Sequence, residues 1–359
     1  MTENEPVLKL ENLQKYFTDE SLKDRILGRD VSPVRAVDEV TIDLYENESI
    51  GVIGESGCGK TTLLRTLMGL YKPTGGEMYY NGEPTSEFSK AEWQKYRRNV
   101  QIIFQDPFNS LDPKFTVRDT LKEPLQVHGL DNHEERMHRV LEEVQLNPPE
   151  QYIDRYPKQL SGGEKQRVSI ARALILEPEV ILADEPVSML DVSTQASILT
   201  LLSNLMEEKG LSMFYISHDL STVSYICDEI NVMYLGRVVE RSPTKKVLRE
   251  PKHPYSQALI DAIPVPDPHY NRERTKIEGA ALDPVDLGEG CRFRDRCPER
   301  MDICDIKPRF VDVDGESIAS CHLYYDHESA DPAADIDERR LASGSTTSGV
   351  EATGKAGDN

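Results

Sequence analysis

Aromatic residues are scarce in this chain, at 7% of 359 positions with a single Trp. With a hydrophobic content of 38%, that suits a soluble α/β protein. No segment reaches the ~18 consecutive apolar residues that a membrane-spanning helix needs, which excludes a helical membrane protein. Positive charge is short as well: 42 Lys and Arg face 63 Asp and Glu, for a net charge of −21. Nucleic acid is therefore not an expected partner, because a phosphate backbone demands a basic surface. Met1 to Pro6 is acidic and polar with no apolar core behind it, so no secretory signal peptide is expected. The chain is expected to stay in the cytoplasm and to borrow any membrane role from partners. Such an acidic surface, with more Arg than Lys, suits a high-salt cytoplasm, and an ordinary acidic bacterial protein is the alternative.

What is present is a regular order of elements. The length allows one large domain and a smaller one. Val7–Leu10 and Val40–Leu44 alternate as strands do, and a charged stretch from Asp19 to Pro33 reads as a surface insertion between them. Glu77–Tyr80 followed by Asn81-Gly82 is a strand with a hairpin turn signal. Glu92–Arg98, Asp119–Leu146, Glu164–Leu176 and Thr194–Lys209 read as helices, and Val180–Ala183 and Ser212–Ser217 as strands. Strands alternating with helices at this spacing predict a parallel sheet wrapped by helices, an α/β fold. Near Lys252-His253-Pro254 proline becomes frequent, and four of the six cysteines lie between 291 and 321. From His327 onward small polar residues dominate, so 327–359 is expected to be a disordered acidic tail.

Gly54-Glu55-Ser56-Gly57-Cys58-Gly59-Lys60-Thr61 fits the phosphate-cradling pattern G-x-x-x-x-G-K-[ST]. The apolar run Ser49–Ile53 precedes it, and Leu63, Leu64, Leu67 and Met68 follow at helical spacing. The glycines let backbone N–H groups turn toward the β- and γ-phosphates, while the helix N-terminus and Lys60 add positive charge. Thr61 has the hydroxyl that would ligate Mg²⁺. Cys58 lies in the variable part of the loop and reads as a small filler. Val180-Ile181-Leu182-Ala183-Asp184-Glu185 is an apolar strand ending in two acids at the sheet edge where ligands bind. Asp184 would hold Mg²⁺, and Glu185 would act as general base toward a water.

Leu160-Ser161-Gly162-Gly163-Glu164-Lys165-Gln166-Arg167 resembles the signature of the ATP-binding cassette (ABC) superfamily, and the motif order matches. The resemblance implies a RecA-like core with antiparallel β and helical subdomains over residues 1–254. It assigns ATP binding to Phe17 (or neighbouring Tyr16) on the adenine, and to Gly54, Ser56, Gly57, Cys58, Gly59, Lys60, Thr61 and Thr62. Gln105 matches the glutamine that contacts Mg²⁺ and water, and His218 the switch histidine at the γ-phosphate. Asp191 matches the aspartate that communicates between two sites, while Ser161, Gly162, Gly163 and Glu164 would complete the pocket of a second ATPase. Glu185, His218 and Gln105 are thus the expected catalytic residues, with Mg²⁺ held through Thr61, Gln105 and Asp184.

Gln101–Pro107, Glu185–Ser193 and His253–Leu259 narrow the likeness to ATPase subunits of oligopeptide/dipeptide importers, the second of the paired ATPases. That implies a partner ATPase, two permeases, an extracellular solute-binding protein and a place at the cytoplasmic face of the plasma membrane. Related importers of nickel, glutathione or sugars, and non-transport ABC ATPases, are the alternatives. A chromosome-organising ATPase would need a coiled coil that the ~100 residues between phosphate loop and signature cannot hold. Residues 255–326 would form a small C-terminal domain with Cys291, Cys297, Cys304 and Cys321. Their spacing departs from the tight pairs of structural zinc sites. Cys-Arg-Phe-x-x-Arg-Cys-Pro resembles importer ATPases of which some carry a four-iron, four-sulfur cluster, with zinc and free thiols as the other readings.

Overall fold

The computed structural model describes residues 5–18, 32–106, 110–262, 285 and 287–325. Residues 19–31 of the insertion expected over Asp19–Pro33, part of the proline-rich stretch and the acidic tail lie outside these residues. The first sheet is antiparallel, ordered β2-β1-β4-β5, with β1 Leu8–Phe17, β2 Val34–Leu44, β4 Gly75–Tyr80 and β5 Glu83–Pro84. Asn81 and Gly82 between β4 and β5 both take positive φ, as the two-residue hairpin signal requires.

The second sheet has eight strands in the order β11-β12-β10-β9-β3-β8-β7-β6. Its parallel part comprises β3 Ser49–Ile53, β6 Val100–Ile103, β7 Val180–Asp184, β8 Ser212–Ser217 and β9 Glu229–Tyr234. All residues of β3 and β8 are buried, as expected of strands covered on both faces. Antiparallel β10 Arg237–Pro243, β12 Ile318–Ser320 and β11 Phe310–Asp312 extend the sheet at one side. Ile53 pairs with Ser217 and Asp184 with Ile216, so the chain leaves β3, β7 and β8 at one common edge.

Helices α1 Lys60–Leu67 and α2 Lys90–Asn99 follow β3 and β5, and their apolar residues fill the space between the two sheets. The predicted helical span over 119–146 divides into α3 Val117–Val127 and α4 His133–Glu143, with Gly129 and Asn132 at positive φ between them. These pack with α5 Gly162–Leu174 and α6 Val192–Lys209 in a second, larger core. Three further helices among the described residues are α7 Leu220–Ile226, α8 Thr244–Arg249 and α9 Pro254–Asp261. Among the described residues no helix is long and apolar enough to cross a membrane.

Asp38 in β2 ties the layers together. It is buried and accepts from the Tyr16 hydroxyl, from Arg237 Nε at 3.0 Å and from Arg292 in the C-terminal part. Burial alone would raise its carboxyl, but these partners outweigh it and hold the group below the ordinary aspartate range.

Candidate functional site

The sharp turn from β3 into α1 brings Gly54–Gly59 to the sheet edge. A Cβ at Gly54 would sit 2.1 Å from the Met233 carbonyl oxygen, and one at Gly59 (φ +108°) 1.9 Å from that of Ala36. Only glycine fits at either position. Gly59 caps α1, whose N-terminus faces a cleft of about 590 Å³. Lining it are Phe17, the run from Ser56 to Thr62, Gln105, Glu185 and His218, with Arg35, Leu235 and Gly236 closing the side. Lys60 is buried, and its Nζ donates to the carbonyls of Gly54 (2.7 Å) and Glu55 (3.0 Å). Cys58 is buried beside it, and burial pushes its thiol up. Phe17 is half-exposed and meets Tyr71 edge-to-face at 5.3 Å, whereas the Tyr16 hydroxyl is committed to Asp38. Of the two aromatics, Phe17 is the one that lines the cleft.

Across the cleft, three side chains join through one carboxylate. Gln105 Nε2 donates to Glu185 Oε2 at 2.9 Å, and His218 Nδ1 lies 2.7 Å from Glu185 Oε1. Gln105 also reaches Ser188 Oγ at 3.4 Å. Glu185 follows β7 directly, its N–H donating to Ile216 O, and takes a left-handed conformation with φ +44°. A non-glycine residue pays strain there, and such outliers concentrate at functional sites. Burial raises the Asp184 carboxyl and the Glu185 charge adds to that, while Arg65 and Lys60 oppose it.

Ser161–Glu164 are not among the residues lining this cleft. Ser161 caps α5 in a reciprocal box, its Oγ accepting from Glu164 N–H and its N–H donating to Glu164 Oε2 at 2.7 Å. Asp191 caps α6, accepting from Thr194 N–H (3.1 Å) and from the Ser193 and Thr194 hydroxyls. These bonds hold its carboxyl far below the usual range. A Cβ at Gly163 would press on Thr194, so the two capped helix starts stand against each other.

Residues 37–188 match the ABC transporter family, and 239–304 the oligopeptide/dipeptide transporter C-terminal region. The chain is 42% identical over 327 residues to the oligopeptide transport ATP-binding protein AppF of Bacillus subtilis, covering 89% of this chain and 98% of that one. It is 44% identical over 331 residues to YkfD of the same organism, covering 90% and 97%. The chain belongs to the oligopeptide ABC transporter ATPases. Its fold agrees with that of cbiO1 from Clostridium perfringens (TM-score 0.59, 28% identity, 68% of this chain and 92% of that one). It also agrees with the dimeric cassette MJ0796 bound to ADP and phosphate (TM-score 0.57, 30% identity, 66% and 98%). As in the family, ATP hydrolysis by this ABC ATPase is coupled to transport.

In this ABC ATPase the four-iron, four-sulfur reading of the four cysteines is not supported. Cys291 N–H donates to Cys304 O at 2.9 Å, and the charge of neighbouring cysteines adds to the effect of burial on Cys291, Cys297 and Cys321. Burial pushes Cys297 up to about 11 and Cys321 to about 12. Among the described residues, no group of three or more His, Cys, Asp or Glu side chains is placed to hold a metal ion. Sequence reasoning also missed residues that shape the cleft. Leu235 and Gly236 form a tight β9–β10 turn, both at positive φ, and Gly236 N–H donates to Cys58 O at 2.8 Å. A Leu at the first turn position hid that hairpin signal. Arg35 carries no motif of its own, and Ser188 lies in the Glu185–Ser193 motif without a role read for it.

Proposed function

We propose that this chain is the ATP-hydrolysing motor of a peptide importer, dimerised with a second ATPase at the cytoplasmic face of the plasma membrane. Two permease subunits would receive its motion, and an extracellular solute-binding protein would deliver the peptide. The observation that carries this reading is the Gln105–Glu185–His218 hydrogen-bonded chain across the cleft from the Lys60 loop. The names of AppF and the matched C-terminal family support the peptide class.

In this reading the loop N–H groups and Lys60 bind the β- and γ-phosphates, with Lys60 exchanging the Gly54 and Glu55 carbonyls for phosphate oxygens. Phe17 stacks on the adenine. Glu185 takes a proton from water as the water oxygen bonds to the γ-phosphorus and the bridging P–O bond breaks, yielding ADP and phosphate. His218 steadies Glu185 Oε1 and contacts the γ-phosphate, while Gln105 orients the other carboxylate oxygen. The Thr61 hydroxyl, Gln105 amide and Asp184 carboxylate are oxygen donors of the kind Mg²⁺ prefers, so the residues fit that ion. When bound, Mg²⁺ neutralises charge on the phosphates. That Ser161–Glu164 do not line their own cleft supports completion of the pocket by a second protomer, and Asp191 stands beside that signature to link the two sites.

Glu185→Gln should lower steady-state ATPase activity by ~10²-fold or more, the scale of a lost general base, while ATP binding persists. The variant should accumulate as a nucleotide-bound dimer on size exclusion. Turnover equal to that of the parent would remove Glu185 from the role assigned to it.

A further inference from the structure

The phosphate loop is braced from outside its own strand and helix. Glu55, its second residue, is gripped at two points. Its backbone N–H donates to Tyr255 Oη at 2.9 Å. Its carboxylate accepts a fork from Arg296, Nη1 to Oε2 at 3.0 Å and Nη2 to Oε1 at 3.2 Å. Paired bonds of this kind fix orientation as well as distance. The same Glu55 offers its carbonyl to Lys60 Nζ at 3.0 Å, so one residue links the brace to the loop lysine.

The brace itself is rigid. Tyr255 is fully buried at the start of α9, where Pro254 occupies the first turn and His253 Nδ1 accepts the Tyr255 N–H at 3.0 Å. Glu240 in turn accepts the N–H groups of Lys252 and His253. The Tyr255 ring packs against Tyr234 at 4.5 Å and Phe293 at 5.4 Å. Arg296 sits in the short 3₁₀ turn Arg294–Arg296, between Cys291 and Cys297, and donates its Nη1 to Tyr234 Oη at 3.1 Å. None of these residues lines the nucleotide cleft, yet Tyr255 and Arg296 both hold the loop's second residue.

We propose that Tyr255 and Arg296 are positioning residues for ATP binding, clamping Glu55 so that the loop N–H groups and Lys60 are held ready for phosphate. The C-terminal region thus sets the nucleotide affinity of the cassette without touching nucleotide. This rests on the Lys60 loop being the ATP site.

The test uses the full chain and compares Tyr255→Phe, Arg296→Ala, Glu55→Gln and Lys60→Ala by ATP affinity, turnover at saturating ATP and thermal midpoint. Tyr255→Phe and Arg296→Ala should each weaken ATP binding about tenfold, the scale of one lost buried or charged hydrogen bond. Turnover at saturation should stay within about twofold, a split that a merely structural loss of folded protein does not produce. Arg296→Ala combined with Glu55→Gln should be no worse than Arg296→Ala alone, since the fork is already lost without Arg296. Affinity unchanged in both Tyr255→Phe and Arg296→Ala, with Lys60→Ala defective, would overturn the clamp and leave the ATP site standing. Full ATP binding by Lys60→Ala would overturn the site assignment and this proposal with it.

Discussion

Two buried residues outside the cleft govern much of what holds this ABC ATPase together. Asp38 offsets the charge of Arg292, whose side chain is almost wholly buried. Asp38→Ala would leave that guanidinium uncompensated, at a cost of about 3–5 kcal/mol, which a shift in urea midpoint would register. An unchanged midpoint would mean that solvent reaches Arg292 after all. His253 is buried, and burial pushes its imidazole down to about 3. The unfolded chain, with an ordinary histidine, takes up that proton first. The stability His253 contributes is therefore complete above about pH 6.5 and is lost as pH falls toward 3. His253→Asn retains a helix-capping side chain but does not titrate. Its stability relative to the parent should rise by about 1.4 kcal/mol per pH unit below 6.5 in urea unfolding, and a pH-independent difference would contradict a neutral buried imidazole.

At the scale of elements, much was legible because the signals are local. The strand Ser212–Ser217 has the limits its pattern predicted, and the helix predicted over Thr194–Lys209 begins at Val192 but ends where expected, since a continuous apolar run and a Gly210 stop need no distant partner. The capping pair Ser161–Glu164 is equally local, and Ser161→Ala should cost about 1 kcal/mol of stability, visible as a lower thermal midpoint. If the midpoint does not move, the Ser161 side chain is not satisfying the helix end. Other features depend on partners far along the chain. Val7–Leu10 shows strand alternation, whereas the extent of β1 to Phe17 is set by β2 and β4 pairing along its two sides. Strands β9 and β10 went unread, their hairpin hidden by Leu235. In the cleft, the motif residues were legible one by one, but not the sharing of Glu185 by Gln105 and His218, which needs β6, β7 and β8 side by side.

For the whole molecule, the net charge of −21 is a standing self-repulsion. Added salt shortens its range, to ~3 Å at 1 M. The thermal midpoint should therefore climb as KCl is raised from low to molar concentration, and a falling midpoint would show that ion pairs outweigh repulsion. The three strands of the sheet's antiparallel flank carry a consequence of another sort. Glu240 and Arg241 of β10 pair with Ala319 and Ile318 of β12, and β12 with β11, so the final described segment finishes a surface begun in the cassette. Severing the polypeptide just beyond α9 would leave β10 paired to β9 alone and open its other edge at Glu240 and Arg241, an invitation to self-association. The motor, in other words, is not detachable from its tail end: a shortened version meant to simplify it would come out of the cell as an adhesive.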